Sequence, residues 1–188
     1  MNNSEKKFLF NLLSAPSPTG FETEGQKVWV KYMKKYAQTV NNDAYGTAWA
    51  TIKGKSAKSP VVMLEAHADE IGYIIKHIGK DGFLRLDRVG GSDAATGRGR
   101  RINLLGDKGP VKGIIGNTAI HLRKDSLGNE KAPKIYDLYV DIGASNPKEV
   151  AKLGLRVGHP AVYADEPEEF TKGKIAVSYT HLRAHETK

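Results

Sequence analysis

Ala66-His67-Ala68-Asp69-Glu70-Ile71-Gly72 follows almost directly on the apolar run Val61-Val62-Met63-Leu64, and how this stretch is read decides the fold. Val61–Ala66 reads as a buried strand. A strand that ends on His-x-Asp carries an imidazole and a carboxylate to the carboxyl edge of a sheet, where open α/β folds place their ligand sites. Side chains alternate along extended chain, so His67 and Asp69 point to the same side. The carboxylate can then orient the imidazole or share its ion, since a metal-ligating histidine usually donates its second ring nitrogen to such a partner. The tripeptide by itself is equally compatible with a strand-end histidine beside a surface acid.

Outward from that stretch the chain changes texture. On its N-terminal side, residues 4–14 read as a short helix capped by Ser4, with Phe8, Leu9, Leu12 and Leu13 as its apolar stripe. A second helix spans Glu22 to Tyr36, where Val28, Trp29, Tyr32, Met33 and Tyr36 share a face. Thr39-Val40 and Thr47 to Lys53 read as strands around a turn, and Gly54 to Pro60 is a polar connection. Helices, strands and one buried strand predict the start of a three-layer α/β domain. After Gly72 come short β-type runs at Tyr73 to Ile78, Phe83 to Leu86, Arg101 to Leu105, Gly109 to Ile115 and Ile135 to Ile142. Gly/Asp turns separate them, the signature of a small barrel or sandwich. One helix interrupts the series, with Asn146 as cap, Pro147 in its first turn and Gly154 closing it. The short strands leave edges that must be covered or paired.

Composition limits the chemistry. The chain has 188 residues, 39% of them hydrophobic, enough for one domain or two small ones. It has no cysteine, so disulfides and thiolate metal sites are excluded, and any metal must be held by histidine and carboxylates. That ligand set suits zinc, cobalt or manganese. A net charge of +8 raises the question of a nucleic-acid partner. The lysines are scattered, however. The one tight basic cluster, Arg98-Gly99-Arg100-Arg101, has no interleaved aromatic to stack on bases. No nucleic acid and no membrane are expected, and the absence of a basic-then-apolar leader reads as cytoplasmic.

Leu64-Glu65-Ala66-His67-Ala68-Asp69-Glu70-Ile71-Gly72-Tyr73-Ile74-Ile75 closely resembles the first metal-binding segment of the glutamyl and leucyl aminopeptidases of metallopeptidase family 42, dinuclear enzymes known for tetrahedral assemblies. Ser14-Ala15-Pro16-Ser17-Pro18-Thr19-Gly20-Phe21-Glu22, Asp43-Ala44-Tyr45-Gly46, Gly113-Ile114-Ile115-Gly116 with His121-Leu122, and Leu138-Tyr139-Val140-Asp141-Ile142-Gly143-Ala144 match in the same order. The resemblance runs from about residue 8 to about 177. It implies a catalytic α/β domain begun by residues 1–72, an inserted β domain at 73–164 that makes subunit contacts, and a return to the catalytic domain at 165–177. It also implies peptide substrates, two divalent ions (zinc, or cobalt or manganese), and a dimer-built dodecameric homo-oligomer. His67 would ligate one ion, and Asp69 would belong to the catalytic group by fixing that imidazole.

The resemblance implies that the rest of the pattern, a bridging aspartate, adjacent glutamates, a further carboxylate and a late histidine, follows the inserted domain, with the bridging aspartate a few residues after Gly173-Lys174-Ile175-Ala176. Instead Ser178 to Lys188 follows, a string that resembles translated adapter sequence and reads as a non-native tail. On this reading the chain is an inactive fragment of a metalloaminopeptidase. His181 and His185, four apart, could grip an ion on one helical face, but the glutamate follows the second histidine, unlike a zincin helix. Asp165-Glu166-Pro167-Glu168-Glu169 reads as a solvated charge run, His121 and His159 as structural, and His77 as a strand surface residue. Two other classes compete. A non-catalytic oligomerisation module would use the β insert. A glycoside hydrolase of the endoglucanase type would need paired carboxylates flanking a sugar groove.

Overall fold

Asn2, rather than Ser4, caps the first helix in the computed structural model, which describes residues 1–122 and 132–177. Its side chain accepts from the Glu5 N–H at 2.9 Å, and the Glu5 carboxylate accepts from the Asn2 N–H at 2.8 Å. A capping box needs an acid three residues after the cap. Asn2 has one and Ser4, followed by Lys7, does not. The helix α1 (Asn3–Leu13) lies against α2 (Thr23–Met33), with the Phe8 and Tyr32 rings stacked 3.7 Å apart. Gly25 is the buried residue of α2. A Cβ there would sit 2.2 Å from Ser17 Oγ, so glycine is what lets the helix approach the 14–19 segment. The strands β1 (Thr39–Asn42) and β2 (Ala48–Thr51) form an antiparallel hairpin.

The buried strand expected over Val61–Ala66 is not formed. Val61, Val62, Met63 and Leu64 are 97%, 79%, 79% and 94% exposed, and the first ladder contact comes only at Glu70, which bridges Pro18 in parallel. The apolar run has strand chemistry. A central strand, however, also needs neighbours to pair its backbone and layers to cover its faces. The hairpin pairs with itself, and no described strand runs beside 61–66.

Ile71–Asp165 forms one compact unit, and Met1–Glu70 with the described residues from Glu166 onward forms another. In the first, β3 (Gly72–Ile78), β4 (Leu84–Val89), β5 (Arg101–Gly106), β6 (Gly109–Gly116), β7 (Tyr139–Asp141) and β8 (Pro160–Tyr163) close into an antiparallel barrel of order β3-β4-β7-β6-β5-β8. Alternation fills it: Leu84 and Leu86 point in from β4, Ile102 and Leu104 from β5. Two short α-helices lie in this unit. Asp93 caps α3 (Ala94–Gly97), and Asn146 caps α4 (Pro147–Lys152), as expected from its Asn-Pro start. A 3₁₀ turn at Thr171–Gly173 joins β9 (Glu168–Glu169) to β10 (Ile175–Ala176).

One strand expectation is corrected and one strand was not anticipated. Ile135–Ile142 opens with a 3₁₀ turn at Ile135–Asp137, closed by the Asp137 carboxylate on the Lys134 N–H, and only Tyr139–Asp141 is strand. The closing strand β8 carries no alternation signal because all four of its residues are buried. Its proline is tolerated at a first strand position. Among the described residues, the buried apolar core lies in this unit, from Tyr73 and Ile75 through Val140 and Val150 to Val162 and Tyr163. No helix among them is long and apolar enough to cross a membrane.

Candidate metal centre

His67 and Asp69 meet, although the strand expected to carry them is not formed. His67 Nδ1 lies 2.9 Å from Asp69 Oδ1, with both side chains about one-third exposed. The other oxygen, Asp69 Oδ2, accepts from the Thr19 hydroxyl at 2.5 Å. Burial works against ionisation of Asp69, but the hydrogen bonds from Thr19 and His67 outweigh it and hold the carboxyl below the usual aspartate range. An ionised carboxylate only accepts. Nδ1 therefore carries the proton of this contact, and in the neutral ring the lone pair falls to Nε2, the arrangement of a metal ligand steadied by a carboxylate.

The backbone just beyond this pair is clamped. Glu70, 7% exposed, accepts the Ser17 N–H on Oε1 at 2.9 Å and donates its own N–H to the Ser17 carbonyl at 2.9 Å. Its carbonyl receives the Thr19 N–H at 3.3 Å. Reading the sequence singled out His67 and Asp69 but gave Thr19 and Glu70 no part. Thr19 stood only within a family-like stretch, and nothing local marks Glu70 as buried.

The weaker candidates serve other ends. His77 is exposed on β3, and His121 is exposed in a 3₁₀ turn at Ile120–Leu122. His159 is buried: its Nδ1 accepts from the Arg156 N–H at 3.3 Å and its Nε2 meets Asp107 Oδ1 at 3.1 Å. In the acidic run, Asp165 pairs with Arg100, Glu166 accepts from the Ser14 hydroxyl, and Glu169 pairs with Lys6. Arg100 also lies over the Tyr163 ring, 4.5 Å from its centroid, so part of the basic cluster packs rather than waits for a polyanion. His181 and His185 fall outside the described residues. Among the described residues no group of three or more histidine and carboxylate side chains could hold an ion. The donor set thus fits one imidazole ligand of a histidine–carboxylate metal site and does not build a coordination sphere.

Comparison with known proteins identifies the family. Residues 46–181 match the family model described as M42 glutamyl aminopeptidase. Lysyl aminopeptidase of Pyrococcus furiosus is 31% identical over 175 residues, covering 93% of this chain and 46% of the relative. A TET aminopeptidase from a marine sediment Thaumarchaeota archaeon superposes with a TM-score of 0.83 at 30% identity, over 91% of this chain and 48% of that one. The Pyrococcus horikoshii TET1 peptidase, which can assemble into a tetrahedron or a large octahedral shell, gives 0.72 at 28% identity, over 88% and 48%. The chain spans about half the length of the curated relatives it matches. Its α/β segment and inserted barrel are those of these enzymes, and the chain belongs to the M42 glutamyl aminopeptidase family.

Proposed function

We propose that this chain carries the first metal-binding segment of a cytoplasmic, metal-dependent aminopeptidase that removes N-terminal residues from peptides. The observation that supports the reading is the His67–Asp69 contact, which turns Nδ1 toward a carboxylate and leaves Nε2 as the nitrogen that would ligate, within the residues matched to the family. Bound divalent ions, two of them and zinc or else cobalt or manganese, would activate water and polarise the scissile carbonyl. His67 contributes one ligand. Asp69 keeps the ring oriented and takes no proton from substrate. A cysteine-free chain owes nothing to an oxidising compartment, which supports the cytoplasmic placement. The barrel unit is the natural contact module of a dimer-built dodecamer. It is folded around its own core, and the related TET1 peptidase assembles into shells.

The described residues offer one imidazole and no ligand cluster, so this chain alone should show no metal-dependent turnover of chromogenic aminoacyl substrates with added zinc or cobalt. Turnover that disappears in His67→Ala would overturn that expectation. In the full-length gene product, His67→Ala should remove one bound metal by elemental analysis. Asp69→Asn should keep metal but lower affinity or turnover about ten- to a hundred-fold. Full metal occupancy after His67→Ala would refute the assignment.

A further inference from the structure

We propose that Thr19 is a positioning residue of the metal centre: its hydroxyl locks Asp69 in the orientation that keeps His67 in the Nδ1–H tautomer. The inference rests on reading His67 as a ligand through Nε2. A carboxylate's terminal torsion is broad and two-fold, so one contact leaves it free to swing. Asp69 has both oxygens engaged, Oδ1 by His67 and Oδ2 by Thr19, a residue fifty positions away in the sequence. A threonine hydroxyl can donate to one carboxylate oxygen while the other faces His67 Nδ1, so the two contacts together fix the plane of the carboxylate. At 2.5 Å the Thr19 contact lies in the range of charge-assisted O–H···O⁻ bonds.

Thr19 is itself held in place for this task. The 17–19 segment is zipped to Glu70 by three hydrogen bonds, one to the buried Glu70 carboxylate, and Pro18 bridges Glu70 in parallel. Thr19 is exposed, so its hydroxyl could be satisfied by water. Its service to Asp69 is therefore a matter of orientation rather than of burial. Removing the hydroxyl while keeping the branched shape leaves the loop intact and frees the carboxylate. The Nδ1–H form of His67 then loses its fixed acceptor.

The test is nitrogen NMR of the His67 ring in the ¹⁵N-labelled chain, without metal, at a pH about two units above the ordinary histidine pKa of roughly 6.5. The parent and Thr19→Ser should show a single Nδ1–H form. Thr19→Val should show ring shifts averaged between the two tautomers, while His159, fixed by Arg156 and Asp107, stays unchanged as an internal control. A parent ring not in the Nδ1–H form overturns the proposal before any variant is made. So does a Thr19→Val ring identical to the parent, or a Thr19→Ser ring that behaves like Thr19→Val. The readout needs neither metal nor turnover. If Thr19→Val frees the ring but the full-length protein binds no metal through His67, the ligand reading fails and the Thr19 coupling stands.

Discussion

Gly82 turns the chain between β3 and β4 with φ of 82°, and an added Cβ would lie 2.2 Å from the Ala144 carbonyl oxygen and 2.9 Å from the Asn146 nitrogen. Those are backbone atoms and cannot rotate away. Left-handed backbone costs a residue with a Cβ about 1–2 kcal/mol, and overpacking adds about 1–3 kcal/mol. Gly82→Ala should therefore lower the melting temperature of the barrel unit by on the order of 10 °C or more, at roughly 4–8 °C per kcal/mol. Melting within a couple of degrees of the parent would mean that this turn does not press on the 144–146 segment. The turn itself was legible as Lys-Asp-Gly, but the pressure on it was not, because its partner lies more than sixty residues away. The metal centre divides the same way. His67 and Asp69 were readable from a two-residue spacing, whereas Thr19 and Glu70 enter through contacts that no periodicity encodes.

At the scale of elements, the helix that begins at Pro147 was legible because all its signals are local: an Asn cap, a proline in the first turn and a glycine after the last. Val61–Ala66 failed for the opposite reason, since a strand is a relation to its neighbours and the apolar letters carry only half of it. The strand Pro160–Tyr163 was missed because burial on both sides erases alternation. Just before it, His159 ties two elements together. Its ring is 6% exposed and reaches from the β8 approach to Asp107 in the β5–β6 turn, while Arg156 makes a second, open contact to the same aspartate. Asp107→Ala should destabilise the barrel by about 1–3 kcal/mol, the cost of leaving a buried donor without its acceptor. Arg156→Ala, which removes an exposed ion pair, should cost under about 1 kcal/mol. Denaturant unfolding of the two variants checks the ranking, and equal losses would show that the histidine's ring is not what Asp107 supports.

Across the whole molecule the apolar burial is lopsided. Among the described residues, the buried positions outside the barrel unit are Ser17, Pro18, Gly25, Glu70 and Pro167, while Val61 to Leu64 stand in solvent. The barrel unit holds the core side chains and closes its own hydrogen-bond ring. Residues 71–165 expressed alone should therefore unfold cooperatively, with strongly protected amides in β3 to β6, while residues 1–70 alone should exchange quickly throughout. Slow exchange in an isolated 1–70 segment would show that its helices and hairpin stand without further cover.

The closure of the barrel also bears on how copies could meet. The sequence suggested short strands with edges in need of partners. In the ring β3-β4-β7-β6-β5-β8 each strand already has a neighbour on either hand. The pairing is longest between β3 and β4 and between β5 and β6, and shortest where β4 meets β7 at Leu84 and Val140. Association that leaves the ring closed would use matched outer surfaces, loosened one side chain at a time.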